Sequence, residues 1–366
     1  MRLWIILSVI FLFAGCSLFP VFHKKQQPTQ AFILEAREND DFQLIEQKLK
    51  EQNFEAALQS IETFQTAYPY SLKLQRARFM KAGALEELGR WTEAADTYKA
   101  ISTISGKNQP EISAKSLYRL SYVYEALGDN QRVITVLVEA AKYHKYLPPE
   151  VINAEIPSRL AMIYAKENNS KEAQKWLSEA DKGLKRTLES RNEPLTDKWL
   201  AELYFNMGSI STQQLSNDNI ITIIQGQSAV QKYLIEALQY NDSVWSAKAL
   251  KSIRATYLDL WKAIETLPEE PGYEPLVAQK MKKDEQLRLM GSFSDLIKEA
   301  ELYRPGREQT TNPYQSEFFN FLEELQTRVH AILGEALYTP LMSGRAKAAK
   351  KPKAPVKIVP SEDPNL

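Results

Sequence analysis

The chain has 366 residues, 46 Lys+Arg against 46 Asp+Glu, three His and one Cys. One Cys excludes an intramolecular disulfide and a cysteine-cluster metal site. Three scattered His give no metal-ligand spacing, and zero net charge argues against a dedicated nucleic-acid binder. Glycine, at 13 residues, is about half its usual ~7% share. Tight turns are therefore few, and helices are favoured.

The first element is an apolar run, Leu3 to Gly15, behind the single positive charge of Arg2. As a helix these residues span about 20 Å, short of the ~30 Å hydrocarbon core, so a signal peptide is predicted rather than a membrane span. The run ends Leu12-Phe13-Ala14-Gly15-Cys16-Ser17. This resembles the lipobox of bacterial lipoproteins, with Phe13 as a departure from the usual smaller residue. The resemblance implies a diacylglycerol thioether on Cys16, which becomes the mature N-terminus. It also implies a membrane anchor, with Ser17 pointing to the outer membrane and a periplasm-facing body. Inner-membrane anchoring stays open. Residues 16–30, broken by Pro20 and Pro28, read as a lipidated tether behind a signal peptide at 1–15.

From residue 31 to 310 the chain is rich in Ala, Leu, Glu, Lys and Gln, all strong helix formers. Prolines at 69, 110, 148, 149, 157, 194, 268, 271, 275 and 305 read as helix boundaries. Similar triads recur between them: Ala57/Ile61 with Pro69, then Ala94 with Tyr98 and Ile101. Val133/Leu137/Ala140, Ala173/Leu177/Ala180, Val230/Leu234/Ala237 and a weaker Phe293/Ile297/Ala300 follow. Preceding helices carry Lys81-Ala82-x-x-Leu85, Leu120-Ser121-x-x-Tyr124, Leu160-Ala161-x-x-Tyr164 and Met207-Gly208. A small residue at 82, 121, 161 and 208 lets paired helices cross closely. Gly89 and Gly128 fall at the turns between paired helices.

This spacing resembles the tetratricopeptide repeat (TPR), with a period drifting from 37 to 40 among the first four units. The expected fold is all-α, a TPR-like α-solenoid of about five to six helical hairpins. Departures are expected at 212–228 and 266–275. Residues 311–340 are predicted to form a C-terminal capping helix, and 341–366, with six Lys/Arg from 344 onward, a disordered basic, proline-rich tail.

No phosphate-binding loop, HExxH, GxSxG or dinucleotide fingerprint occurs, so no enzyme, cofactor or metal is expected. The tetratricopeptide resemblance implies a concave groove lined by the first helices. Counted from the motif, Phe42, Phe79, Tyr118, Ser158 and Phe205 take one groove position, with Arg76, Lys115, Arg119 and Arg159 nearby. Four aromatics in five suit an apolar or amphipathic peptide with a basic rim. The alternative is that these rings fill helix–helix interfaces, or that the chain's own C-terminal helix occupies the groove.

The function these features imply is a membrane-anchored scaffold or adaptor lipoprotein that binds envelope proteins or peptides. The ending Phe64…Tyr68-Pro69-Tyr70-Ser71 also resembles one repeat of the lipoprotein subunit of the outer-membrane β-barrel assembly machine. A pilus, secretion or motility complex is an equal setting. The alternatives are a peptide-binding regulator and a cell-wall-active enzyme on a helical solenoid, for which no separate catalytic domain remains. Oligomeric state is not legible.

Overall fold

The computed structural model describes residues 30–105, 108–190, 193–211, 220–306 and 312–334. Cys16, the signal segment, nearly all of the tether, residues 335–340 of the expected capping helix and the basic tail lie outside them, as do residues 212–219 of the departure expected at 212–228, whose remainder is helical. The described residues form thirteen α-helices and no strand. The chain divides into two compact units, Met1–Ala77 and Arg78–Leu366.

In the first unit α1 (Gln30–Lys50) and α2 (Phe54–Ala67) make an antiparallel hairpin. Ala57, Ile61 and Phe64 recur at helical spacing on one face of α2 and are all but fully buried. They meet Phe42 and Ile45 of α1, with the Phe42 and Phe64 rings edge to face at 5.6 Å. Each such side chain contributes roughly 1.5–3 kcal/mol on burial. The Asn53 side chain caps α2 by accepting from the Ala56 N–H at 3.3 Å.

The helix α3 (Leu74–Glu87) enters the second unit and meets α4 (Trp91–Ser105) through Phe79 and Tyr98, whose rings lie 5.4 Å apart. Three further hairpins follow: α5 (Pro110–Ala126) with α6 (Asn130–Ala141), α7 (Ile156–Lys166) with α8 (Ser170–Ser190), and α9 (Asp197–Gly208) with α10 (Ile220–Gln239). The triads read from sequence sit on the second helices. Val133, Leu137 and Ala140, and likewise Leu234 and Ala237, are buried. The small positions behave as crossing points: Ala82, Ser121 and Ala161 are fully buried. A Cβ on Gly208 would stand 2.5 Å from Leu234 Cγ.

One turn geometry joins the first four hairpins. A left-handed residue precedes the start of the second helix at Gln52 (φ 55°), Gly89 (φ 70°), Gly128 (φ 72°) and Asn168 (φ 58°). Glycine adopts this region without strain, asparagine tolerates it, and glutamine pays for its Cβ. The repeat is therefore regular in backbone where it is irregular in residue type.

Pro157 does not end a helix. A π-helical turn, Val151–Glu155, runs straight into α7, and the Ile156 N–H reaches the Val151 carbonyl. Proline has no N–H to give the carbonyl four residues back, and its ring crowds that carbonyl. The wider turn makes room for the ring. The Asn153 carbonyl instead faces Gly183 on α8, where an added Cβ would lie 1.6 Å from Asn153 O.

The C-terminal end departs from the hairpin pattern. Here α12 (Pro275–Glu301) packs on α10 as well as on α11 (Trp245–Glu265), and α13 (Pro313–Leu333) packs on α10, α11 and α12. One core joins them, with Tyr257, Phe293, Phe318, Phe319 and Leu322 at its centre. Gln231 is buried inside it. The Gln231 amide donates to the Leu296 carbonyl at 3.3 Å and its oxygen accepts from Tyr257 OH at 2.6 Å. A capping box of Asn312 and Gln315 opens α13.

Candidate functional site

The strongest concentration of polar chemistry lies on the first helices of successive hairpins in the second unit. On α5, Tyr118, Ser121, Tyr122 and Glu125 fall three or four residues apart and so share a face. On the π turn and α7, Glu155 and Arg159 are likewise four apart. On α9, Trp199 and Glu202 are three apart.

Glu155, only 4% exposed, is the hub. One carboxylate oxygen accepts from the hydroxyls of Tyr118 and Tyr122, and the other accepts from Trp199 Nε1 at 2.7 Å. Helices α5 and α9 are thus both tied to the π turn through one carboxylate. Arg159, 1% exposed, lies beneath it. Its guanidinium sits 3.7 Å from the Tyr122 ring centroid and donates to Ser121 Oγ at 2.7 Å and Glu125 Oε2 at 2.8 Å. Burial works against the Arg159 cation, but the groups around it more than offset this and raise its pKa. Burial, then the Glu155 carboxylate, pushes the Tyr118 phenol well up. Glu202, half-buried, is pushed up to about 7 by burial and by the Glu155 charge, against the pull of Arg159. A neighbouring pair joins Arg119 to the buried Glu86. Beside it an open depression of about 540 Å³ is lined by Glu86, Glu87, Gly89, Trp91, Arg119 and Tyr122.

The residues expected along a groove are distributed differently from the expectation. Tyr118, Arg119 and Arg159 come together in this network. Arg159 forms no basic rim: it is an interior cation whose charge is spent on Glu125. Arg119 is likewise held by Glu86. Ser158 is fully buried and bonds the Glu155 carbonyl. Phe79 is half-buried against Tyr98, and Phe205 half-buried against Trp245 at 5.5 Å. In the first unit Phe42 is 4% exposed and belongs to the α1–α2 core. Arg76 lies 5.2 Å from that ring and pairs with Glu46 at 2.7 Å. In the second unit the face is therefore lined by Tyr118 and Tyr122 around the buried Glu155, with Arg159 inside it and the partly exposed Arg119 paired to Glu86.

Sequence reasoning missed Glu86, Tyr122, Glu155, Trp199 and Glu202. The signal was present as i, i+3/i+4 pairs on consecutive first helices, but no single repeat displays it. Among the described residues no group of His, Cys, Asp and Glu is placed to hold a metal ion, and no helix is long and apolar enough to cross a membrane.

The architecture defines the class: an all-α protein of stacked, tetratricopeptide-like helical hairpins with a terminal capping helix. No protein-family model matches the chain, and no curated protein does. Among solved structures it is similar to BtubC (BKLC) from P. vanneervenii, at 16% identity and a TM-score of 0.36, over 67% of this chain and 87% of that one. A second is the TPR2AB domain of yeast Sti1, solved with pHSP90, at 14% identity and a TM-score of 0.29, over 81% and 99%. A third is the assembly chaperone of RpL4, Acl4, at 13% identity and a TM-score of 0.26, over 82% and 97%. The fold assignment stands on this chain's own hairpins.

Proposed function

We propose that this chain is a lipid-anchored scaffold of the bacterial envelope, held by Cys16 at the outer membrane, facing the periplasm and receiving a segment of a partner protein on the α5–α7–α9 face. The observation that carries the binding role is the network at Glu155. It places half-buried Tyr118 and Tyr122 of α5 and half-buried Glu202 of α9 around the Glu155 carboxylate, which the π turn before α7 supplies. Tyrosine presents a large rigid surface with a polar end, which suits protein recognition. Glu202 has no hydrogen bond or ion pair among the described residues, so a partner's donor can satisfy it. The anchor rests on the lipobox resemblance around Cys16. A place in an outer-membrane assembly, pilus, secretion or motility complex follows from that compartment.

The test is a photo-crosslinking residue at Glu202, compared with one at Glu139 of α6, whose side chain is 44% exposed, in intact envelopes. A discrete adduct is expected from position 202 and not from 139. Equal labelling of abundant porins from both positions, with no discrete adduct, would overturn the proposal.

A further inference from the structure

Outside the network, the most exposed apolar side chains among the described residues of the first unit sit on one short loop. Tyr70 is 96% exposed and Leu72 89%. Such exposure normally accompanies a loose segment, but this loop is pinned on both sides of the two residues. Tyr68 OH donates to Asp41 Oδ2 at 2.7 Å, and Ser71 Oγ donates to Glu38 Oε1 at 2.8 Å. The Ser71 oxygen also accepts from the Lys73 N–H at 2.9 Å, and Lys73 Nζ donates to the Asn39 side chain. The Asp41 hydrogen bond pushes the Tyr68 phenol up to about 12, so its proton stays in place. On α1, Leu34 precedes Glu38 by one turn and is 57% exposed. A rigid platform thus presents a tyrosine and two leucines to the outside, with Arg37, Lys73 and the exposed Arg76 close by in sequence.

We infer that this loop docks on a lipid surface, with Tyr70 and Leu72 entering the interface between headgroups and acyl chains. The inference rests on the proposed acylation of Cys16. Thirteen residues lie between Cys16 and Gln30, where α1 begins. That tether spans at most about 50 Å extended and about 20 Å as a flexible coil. The first unit is then confined near the bilayer, where even a small apolar patch meets lipid at high effective concentration. Tyrosine favours the membrane–water interface, because its ring is apolar and its hydroxyl stays wet. Lysine and arginine beside it suit anionic headgroups. A protein partner is the competing occupant, but nothing among the described residues of the first unit specifies one, whereas the proposed anchor and its short tether specify the bilayer.

The experiment uses the full chain, purified as the lipoprotein and reconstituted in vesicles of phosphatidylethanolamine and phosphatidylglycerol. Tyr70→Cys receives a polarity-sensitive thiol dye. Glu55→Cys, about 20 Å away at the other end of α2, is the control. The count of dyes per chain reads the anchor separately: one if the Cys16 thiol is consumed by lipid, two if it is free. With one dye, emission at position 70 should be blue-shifted and quenched by spin-labelled lipid, and emission at position 55 should be neither. Adding Leu72→Asp should return the signal at 70 to that of water. Emission at 70 resembling 55 would overturn the docking and leave the anchor standing. A shielded dye that lipid quenchers do not reach means that a second copy covers the loop, which also overturns it. So does quenching that survives Leu72→Asp, because the dye would then be inserting alone. Two dyes per chain would overturn the anchor and the docking together.

Discussion

Replacing Gly183 by alanine sets two physical terms against each other at one atom. Gly183 lies inside the 21-residue helix α8, where alanine is intrinsically better than glycine by about 1 kcal/mol. By propensity alone the variant should be more stable. The new Cβ would stand 1.6 Å from the Asn153 carbonyl oxygen and 2.4 Å from its carbon. Both are backbone atoms of the π turn and cannot swing aside as a side chain would. Restoring ordinary contact requires α8 and the turn to separate by roughly 1.5 Å in a close-packed interior. Overpacking of this kind costs about 3 kcal/mol, the upper end for added methyl groups. The net expectation is a loss of about 2 kcal/mol. Urea unfolding followed by circular dichroism measures it, with Gly226→Ala as the internal standard. Gly226 is exposed within α10 and has nothing within 4 Å of an added Cβ. It should gain up to about 1 kcal/mol. Equal midpoints for Gly183→Ala and wild type, or a higher one, would refute the close approach of Asn153 to α8.

Arg159→Met removes a buried cation and leaves Glu155 and Glu125 uncompensated. A loss of about 3 kcal/mol is expected, at the low end for a broken buried pair because Glu125 reaches solvent, and unfolding midpoints read it. Glu202 gives a pH signature: its folded pKa is raised from 4.5 to about 7, so ionising it opposes folding. Stability from this group should fall as pH rises from about 4.5 to 7 and recover on acidification. Glu202→Gln should flatten that slope in melts across the window, leaving a residue from Glu236, also raised by burial; an unchanged slope sinks the assignment. Gln52→Gly should stabilise by about 0.5 kcal/mol, since relief of the left-handed strain exceeds the added chain entropy, and a lowered melting temperature would contradict it. Cys16→Ser should move the protein out of the membrane fraction, and unchanged fractionation would reject lipidation as the anchor.

How much could be read in advance differs between fold and site. The second-helix triads were legible because burial at i, i+4 and i+7 leaves a pattern in composition. Gly89 and Gly128 were legible because only glycine takes the left-handed turn freely. The same turn at Gln52 and Asn168 was hidden, since neither residue announces it. Pro157 misled for a related reason. Proline breaks an α-helix, but a π turn spends no N–H at that position and lets the helix continue. The site was harder. Its members are divided among α5, the π turn, α7 and α9 and are joined only when the hairpins stack. Arginines near a groove position looked like a rim, yet whether Arg159 faces water or Glu125 is decided by packing between repeats.

Repeat arrays grow by copying a hairpin, which works when each unit touches only its neighbours. The last four helices do not meet that condition. The Gln231 amide ties α10 to α12, Tyr257 of α11 bonds the same side chain, and α13 rests on all three. A hairpin copied into this stretch would separate partners of one buried glutamine. Evolutionary lengthening, or an engineered insertion, therefore belongs upstream, and α10 to α13 can be duplicated or exchanged only as one block.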